Sequence, residues 1–176
     1  IQENGVPFDK ARLSFAQGKM EVEIAAAVEE LKAFPEIAQF SKDQGKDFNP
    51  NSVLQLRKLL FDVIKLKPVP GKKTGKGLPS TDAEVLEKLA ETHPVPKHIL
   101  AIRKSSKIKN TYLDKIIPQL DLDQRLRTNF NLSSTTSGRL SSSGKLNMQQ
   151  LPRDNPAVKG CIKARPGWKI VAMDLT

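Results

Sequence analysis

Between Arg127 and Lys169 the chain carries eight basic residues and one acidic one, Asp154. Interleaved with that charge are side chains of the kinds that hydrogen-bond to phosphates, sugars and base edges: Thr135, Arg139, Asn147, Gln149 and Gln150, with Gly138 and Gly144 where a ligand could approach the backbone closely. Such a surface suits a polyanion. The pattern then reverses: Trp168 to Met173 is nearly continuously apolar from Ile170, reads as a short strand, and ends in one carboxylate, Asp174. A carboxylate leaving a buried strand beside a phosphate-binding surface is where a hard divalent cation would be held against a phosphoryl group.

The elements that must position these residues are mostly helical. Residues 10–33 place Leu13, Phe15, Met20, Ile24, Val28 and Leu31 at helical spacing, with Glu21, Glu23, Glu29 and Glu30 as a solvated face. Lys42–Asn51 reads as a connecting loop; Asn51 or Ser52 caps a helix whose stripe is Val53, Leu54, Leu56, Leu59, Leu60 and Val63. Lys65–Gly77 has five lysines and no acid, and its prolines and glycines make it a mobile basic loop. It is not a P-loop: three residues separate Gly71 from Gly75 where four are required, and Gly77 follows Lys76 where Ser or Thr should stand.

Thr81 and Glu84 form a capping box for a helix carrying Val85, Leu86 and Leu89, which Pro94 ends. With Pro96 in a first turn, the chain to Ile117 is helical and buries Ile99, Leu100, Ile102, Ile108, Leu113 and Ile116. That helix or helix pair sets Lys97, Arg103, Lys104, Lys107, Lys109 and Lys115 against Asp114 alone. Pro118–Arg127 is a turn, beyond which helical periodicity gives way to short Ser/Thr-rich runs.

Composition bounds the function. The 176 residues carry a net charge of +10 and a pI near 9.8, which points to nucleic acid or an anionic membrane surface; no apolar run approaches the roughly 18 to 20 residues of a spanning helix, so the first reading is preferred. Cys161, the single cysteine, excludes an internal disulfide and any cysteine-based zinc site and fits a reducing compartment. His93 and His98 flank two prolines and suit packing or solvent-facing roles better than metal ligation. No signal peptide is visible, and an initial Ile1 in place of methionine leads us to expect something other than an intact primary translation product.

The run T-T-S-G-R-L-S-S at 135–142, N-M-Q-Q-L-P-R at 147–153 and V-A-M-D at 171–174 resembles family A DNA polymerases, the DNA polymerase I type. FNPNSVLQLRKLLFD from Phe48, KTGKGLPSTDAEVLEKL from Lys73 and HPVPKHILAIRKSSKIKNTYLDKI from His93 look like successive pieces of the thumb of such enzymes, in the right order, and IQENGVPFD resembles the segment leading into the polymerase domain. The joint occurrence makes the match specific where any one motif alone would be weak.

The resemblance implies an α+β, mostly α fold: a helical lead-in over 1–47, a helical thumb over 48–126, and over 127–176 the first strands of a palm ending at the first metal-binding aspartate, with the fingers lacking. The implied activity is template-directed nucleotidyl transfer, in which the primer 3′ hydroxyl attacks a deoxynucleoside triphosphate with two Mg²⁺ ions stabilising the attacking and leaving oxygens. Asp174 matches the catalytic aspartate that holds both metals; the second carboxylate is not in this chain. Thr135, Arg139, Asn147 and Gln149 match positions that grip the primer-template from the minor groove, where acceptors common to all correct pairs are read without regard to sequence. Lys107, Lys109, Asn110 and Thr111 match the thumb tip that holds the duplex behind the growing end, and Arg103 is counted among the DNA contacts with them.

Leu175 and Thr176 depart from the family's usual Tyr-Ser after the aspartate, so sugar discrimination is not legible. Implied partners are primer-template DNA, deoxynucleoside triphosphates in the complete enzyme, and a second chain carrying fingers and remaining palm if the gene is split. The implied location is the cytoplasm of a bacterial or phage-infected cell. By itself the polypeptide is expected not to polymerise. The rival reading is a non-enzymatic DNA-binding accessory module derived from a polymerase, in which Asp174 holds no metal.

Overall fold

The computed structural model describes residues 3–132, 134–143, 146–152 and 155–171. The chain folds around two hydrophobic cores, one in residues 22–106 and one in residues 1–21 with 107–176.

The first unit is helical throughout its core. It begins within α1 (Lys10–Lys32), whose Leu31 is buried, and continues into α2 (Pro35–Gln44), which places Ile37 and Phe40 inside. Proline at the first helical position starts α2, and Gly45 at φ 63° ends it, the N–H of Gly45 donating to the Lys42 carbonyl and that of Lys46 to the Ser41 carbonyl. The loop expected from Lys42 therefore begins at Gly45.

α3 (Val53–Arg57) is capped by Ser52, whose hydroxyl oxygen accepts from the Gln55 N–H, and widens into a π turn over Lys58–Val63. Leu56, Leu59 and Leu60 are buried, whereas Val53 and Leu54, expected on the same stripe, are exposed in the first turn of α3. The lysine-rich loop folds back on itself: the N–H of Thr74 donates to the Leu78 carbonyl at 2.8 Å and Ser80 to Lys72 at 3.0 Å.

α4 (Ala83–Leu89) is capped one residue later than expected. The Asp82 carboxylate accepts from the Val85 N–H at 2.9 Å and from the Ser80 hydroxyl at 2.8 Å, while Thr81 is buried. α5 (Pro94–Ile108) then delivers Val95, Ile99, Leu100 and Ile102 to the core. Both histidines are structural here: His93 Nε2 lies 3.2 Å from Glu36 Oε1, and the His98 ring meets Phe34 edge to face at 5.2 Å.

The second unit packs Phe8, Leu13, Tyr112, Leu113, Ile116, Leu126, Leu146, Val158 and Cys161 together. β1 (Val6–Pro7) pairs antiparallel with β2 (Arg125–Leu126), Val6 opposite Leu126, and Phe8 bridges Ile162. Gly5 at φ 61° is required before β1, since a Cβ there would lie 2.9 Å from Arg127 Cγ. Arg125 donates to the Gly5 carbonyl at 3.1 Å and Arg127 to that of Glu3 at 2.9 Å, while the Arg127 guanidinium pairs with Asp121 and Asp123. The hydrogen bond from Arg127 holds the Asp123 carboxyl below the usual carboxylate range.

After α5 the chain passes through a π turn, Lys109–Leu113, then α6 (Asp114–Ile116) and a short 3₁₀ turn. β3 (Asn129–Asn131) pairs antiparallel with β4 (Ser141–Ser143), and α7 (Pro156–Lys159), capped by Asn155, carries Val158 inward. Phe15, expected on the packing face of α1, is 75% exposed. The strand expected from Trp168 is not formed over its described part, 168–171: no described strand pairs with it, the Trp168 N–H donates back to the Arg165 carbonyl at 2.9 Å, and Trp168, Ile170 and Val171 are 72%, 59% and 73% exposed.

Candidate nucleic-acid interface

Four of the residues expected to grip nucleic acid lie in and just after the β3–β4 hairpin. The connecting loop closes on itself, with the Gly138 N–H donating to the Thr135 carbonyl at 3.2 Å and the Thr135 hydroxyl donating to the Arg139 carbonyl at 2.6 Å. Gly138 sits at φ 67°, the left-handed conformation that lets this tight loop turn. The Arg139 side chain is thereby carried at the surface, exposed and without a partner among the described residues.

Asn147 caps the 3₁₀ turn Met148–Gln150. Its Oδ1 accepts from the Gln149 backbone N–H at 3.0 Å and from the Ser142 hydroxyl, which ties the turn to β4. Because a backbone N–H can only donate, the oxygen of the Asn147 amide must face inward, and its Nδ2 is left to donate elsewhere. Gln149 is fixed the opposite way round: its Nε2 donates to the Leu140 carbonyl at 2.6 Å, leaving Oε1 to accept. Asn147 thus offers a donor and Gln149 an acceptor from amides fixed by hydrogen bonds, and Arg139 adds exposed donors from the hairpin loop. Those donors suit the acceptors that every base pair shows in the minor groove, and the acceptor suits the guanine amino group.

The second group of expected contacts lies at and after the end of α5. Lys107 and Asn110 are exposed and Thr111 is half-buried. Lys109 is drawn back: its Nζ is 3.1 Å from Asp114 Oδ2, and the other Asp114 oxygen accepts from Gln17 Nε2 at 2.6 Å. From the same π turn the buried Tyr112 hydroxyl donates to the Gln150 carbonyl at 2.7 Å, tying the lysine-bearing segment to the turn that holds Asn147 and Gln149. Spacing gave no hint of that tie.

Arg103 belongs to the other unit and behaves differently. Its Nε donates to the Pro50 carbonyl at 2.7 Å and one η nitrogen to the Thr81 carbonyl at 3.0 Å; the second η nitrogen is buried without a partner, and burial pushes the guanidinium pKa down. The pattern does carry the signal for this inward placement, because Arg103 follows Ile99 by four residues and Leu100 by three, on the buried face of α5.

Asp174, expected to be catalytic and to hold metal, lies outside the described residues. Among the described residues no group of three or more His, Cys, Asp or Glu could hold a metal ion. A shallow groove of about 350 Å³, lined by Asn4, Ala164, Arg165, Trp168, Lys169 and Ile170, contains none of the expected site residues. No described helix is long and apolar enough to cross a membrane.

The DNA polymerase family A model matches residues 17–176. The chain belongs to DNA polymerase family A. This family A chain is 50% identical over 176 residues to the DNA polymerase of Escherichia phage T5, covering all of this chain and 20% of that protein. It is 37% identical over 179 residues to the thermostable DNA polymerase I of Thermus aquaticus, covering 99% of this chain and 20% of that one. Among solved structures it resembles the POL domain of Pol1 from M. smegmatis in complex with DNA primer-template and dNTP, with a TM-score of 0.72, 31% identity, and coverage of 88% of this chain and 25% of the other. The family A chain therefore spans about a fifth of the length of these curated relatives. Its mostly helical architecture is that of part of a polymerase domain.

Proposed function

We propose that this chain is the part of a template-directed DNA polymerase that grips primer-template DNA and carries one metal-binding aspartate. The observation that carries the proposal is the pair of oriented amides, Asn147 and Gln149, with Gln149 bonded to Leu140 next to the exposed Arg139, in a chain whose residues 17–176 match family A. In this reading 1–47 leads in, 48–126 is the thumb and 127–176 begins the palm. Arg139 and the Asn147 amide donate to minor-groove acceptors near the primer end, Gln149 accepts there, and Thr135 holds the loop that presents Arg139. Lys107, Asn110 and Thr111 hold the backbone further along the duplex, and Lys109 joins them to the extent that Asp114 releases it. Arg103 contributes by keeping the helical unit together. The electrostatic share of this grip is salt-sensitive.

Asp174 is the residue of this chain proposed to hold magnesium, which supplies charge stabilisation of the attacking and leaving oxygens when bound. Nucleotidyl transfer is completed by polypeptide outside these residues, which also binds the deoxynucleoside triphosphate. The alternative, an accessory DNA-binding module, shares the grip and lacks the metal. Primer extension by this chain combined with a polypeptide carrying the fingers and the rest of the palm separates the two readings. The polymerase reading predicts extension that Asp174→Ala abolishes; activity surviving that substitution would remove the catalytic assignment.

A further inference from the structure

Three side-chain hydrogen bonds reach residues of the turn Met148–Gln150 themselves, and two of them are local. Asn147 accepts from the Gln149 N–H, and Gln149 Nε2 donates to the Leu140 carbonyl. The third comes from 38 residues away, where the Tyr112 hydroxyl donates to the Gln150 carbonyl at 2.7 Å. Tyr112 is only 8% exposed, and it is turned inward together with Leu113 by the π turn Lys109–Leu113, in which the N–H of Asp114 reaches back to the Lys109 carbonyl. A π turn places one extra residue in the coil and so changes which side chains face inward. Here it sets Tyr112 in the core directly after the exposed Asn110 and the half-buried Thr111.

From this geometry we infer that Tyr112 is a positioning residue, whose hydroxyl fixes the Asn147–Gln149 amides relative to the Lys107–Thr111 segment, so that one duplex meets both sets of contacts in register. The inference rests on the proposed primer-template grip. Tyr112 touches no nucleic acid itself. Its ring packs in the core, and its hydroxyl is the one hydrogen bond from this helical segment to the 148–150 turn among the described residues. Phenylalanine in its place would keep the packing and remove only that bond.

The test is affinity for a labelled primer-template duplex, measured at several salt concentrations for the whole chain and for Tyr112→Phe, with thermal unfolding followed in parallel. Loss of one such hydrogen bond should weaken binding about 3- to 10-fold. The salt dependence should stay the same, because no phosphate contact is removed. In a Gln149→Ala background Tyr112→Phe should cost less than it does alone, and in a Lys107→Ala background its cost should also fall, because the register it holds then serves fewer contacts. Binding unaltered by Tyr112→Phe, or a cost fully additive with Gln149→Ala, would overturn the inference. If Gln149→Ala and Arg139→Ala themselves leave binding unchanged, the grip proposed above fails, and this inference with it. If they weaken binding while Tyr112→Phe does not, only the positioning role is lost.

Discussion

The Nε–H of Arg103 donates to the carbonyl of Pro50 at 2.7 Å, joining α5 to the loop that precedes α3. The same guanidinium donates to the Thr81 carbonyl at the entrance to α4. Removing it strands two carbonyls, and charged hydrogen bonds of this kind are worth about 1.5 to 3 kcal/mol each. Arg103→Ala should therefore destabilise the chain by about 3 to 6 kcal/mol in urea unfolding. Arg103→Lys should recover little, because an ammonium lacks the planar fork that spans two acceptors. A loss of DNA affinity with no change in stability would instead make Arg103 a direct contact.

At α4 the cap supplies a pH dependence with a definite sign. The Val85 N–H, and then the Ser80 hydroxyl, hold the Asp82 carboxyl below its usual pKa. A carboxylate whose folded pKa is depressed stabilises the fold above its unfolded value and loses that contribution as pH falls through the folded one. Asp82→Ala should cost about 1 kcal/mol at neutral pH. The difference from the parent chain should shrink as pH drops below about 3.9. Unfolding curves at neutral and acid pH read both.

Lys65 follows the π turn of Lys58–Val63 at φ 60°, where a side chain is strained and glycine is not. Lys65→Gly should raise stability by about 1 kcal/mol, seen as an upward shift in Tm. A fall in Tm would mean that the lysine side chain contributes more than its backbone strain costs.

Lys107 and Lys109 stand two residues apart and should behave differently. Exposed Lys107 should contribute about one unit to the slope of log affinity against log salt concentration, and Lys107→Ala should remove it. Lys109 is paired with Asp114, so Lys109→Ala should change that slope by less and should lower Tm. Equal slope changes for the two would show that DNA breaks the Lys109–Asp114 pair.

Much of the helical part was legible because its apolar residues recur at helical spacing over long stretches: Leu13 and Leu31 in α1, Leu56 in α3, Leu60 in the π turn after it, and Ile99 and Ile102 in α5 are buried as expected. α2 was not foreseen, since only Ile37 and Phe40 of its residues reach the core, and β1 and β2 are two-residue strands whose partners lie more than a hundred positions apart. Adjacent capping candidates decided the start of α4: Thr81 is buried, and the cap falls to Asp82. The types of the residues proposed for the interface stand in the sequence, but their orientation does not. Which end of the Asn147 amide faces outward depends on the Gln149 N–H, and the bond from Tyr112 to Gln150 depends on a fold that no spacing encodes.

Arg139 and Asn147 are proposed to grip a primer-template by donating to minor-groove acceptors common to all base pairs, so their contribution should not depend on sequence. Affinities of the parent chain, Arg139→Ala and Asn147→Ala are compared on primer-templates of several sequences at fixed salt. Both substitutions should weaken binding by a similar factor on every sequence, with Arg139→Ala also flattening the salt dependence. Parent-like binding by both variants, or a loss confined to particular base pairs, would contradict it.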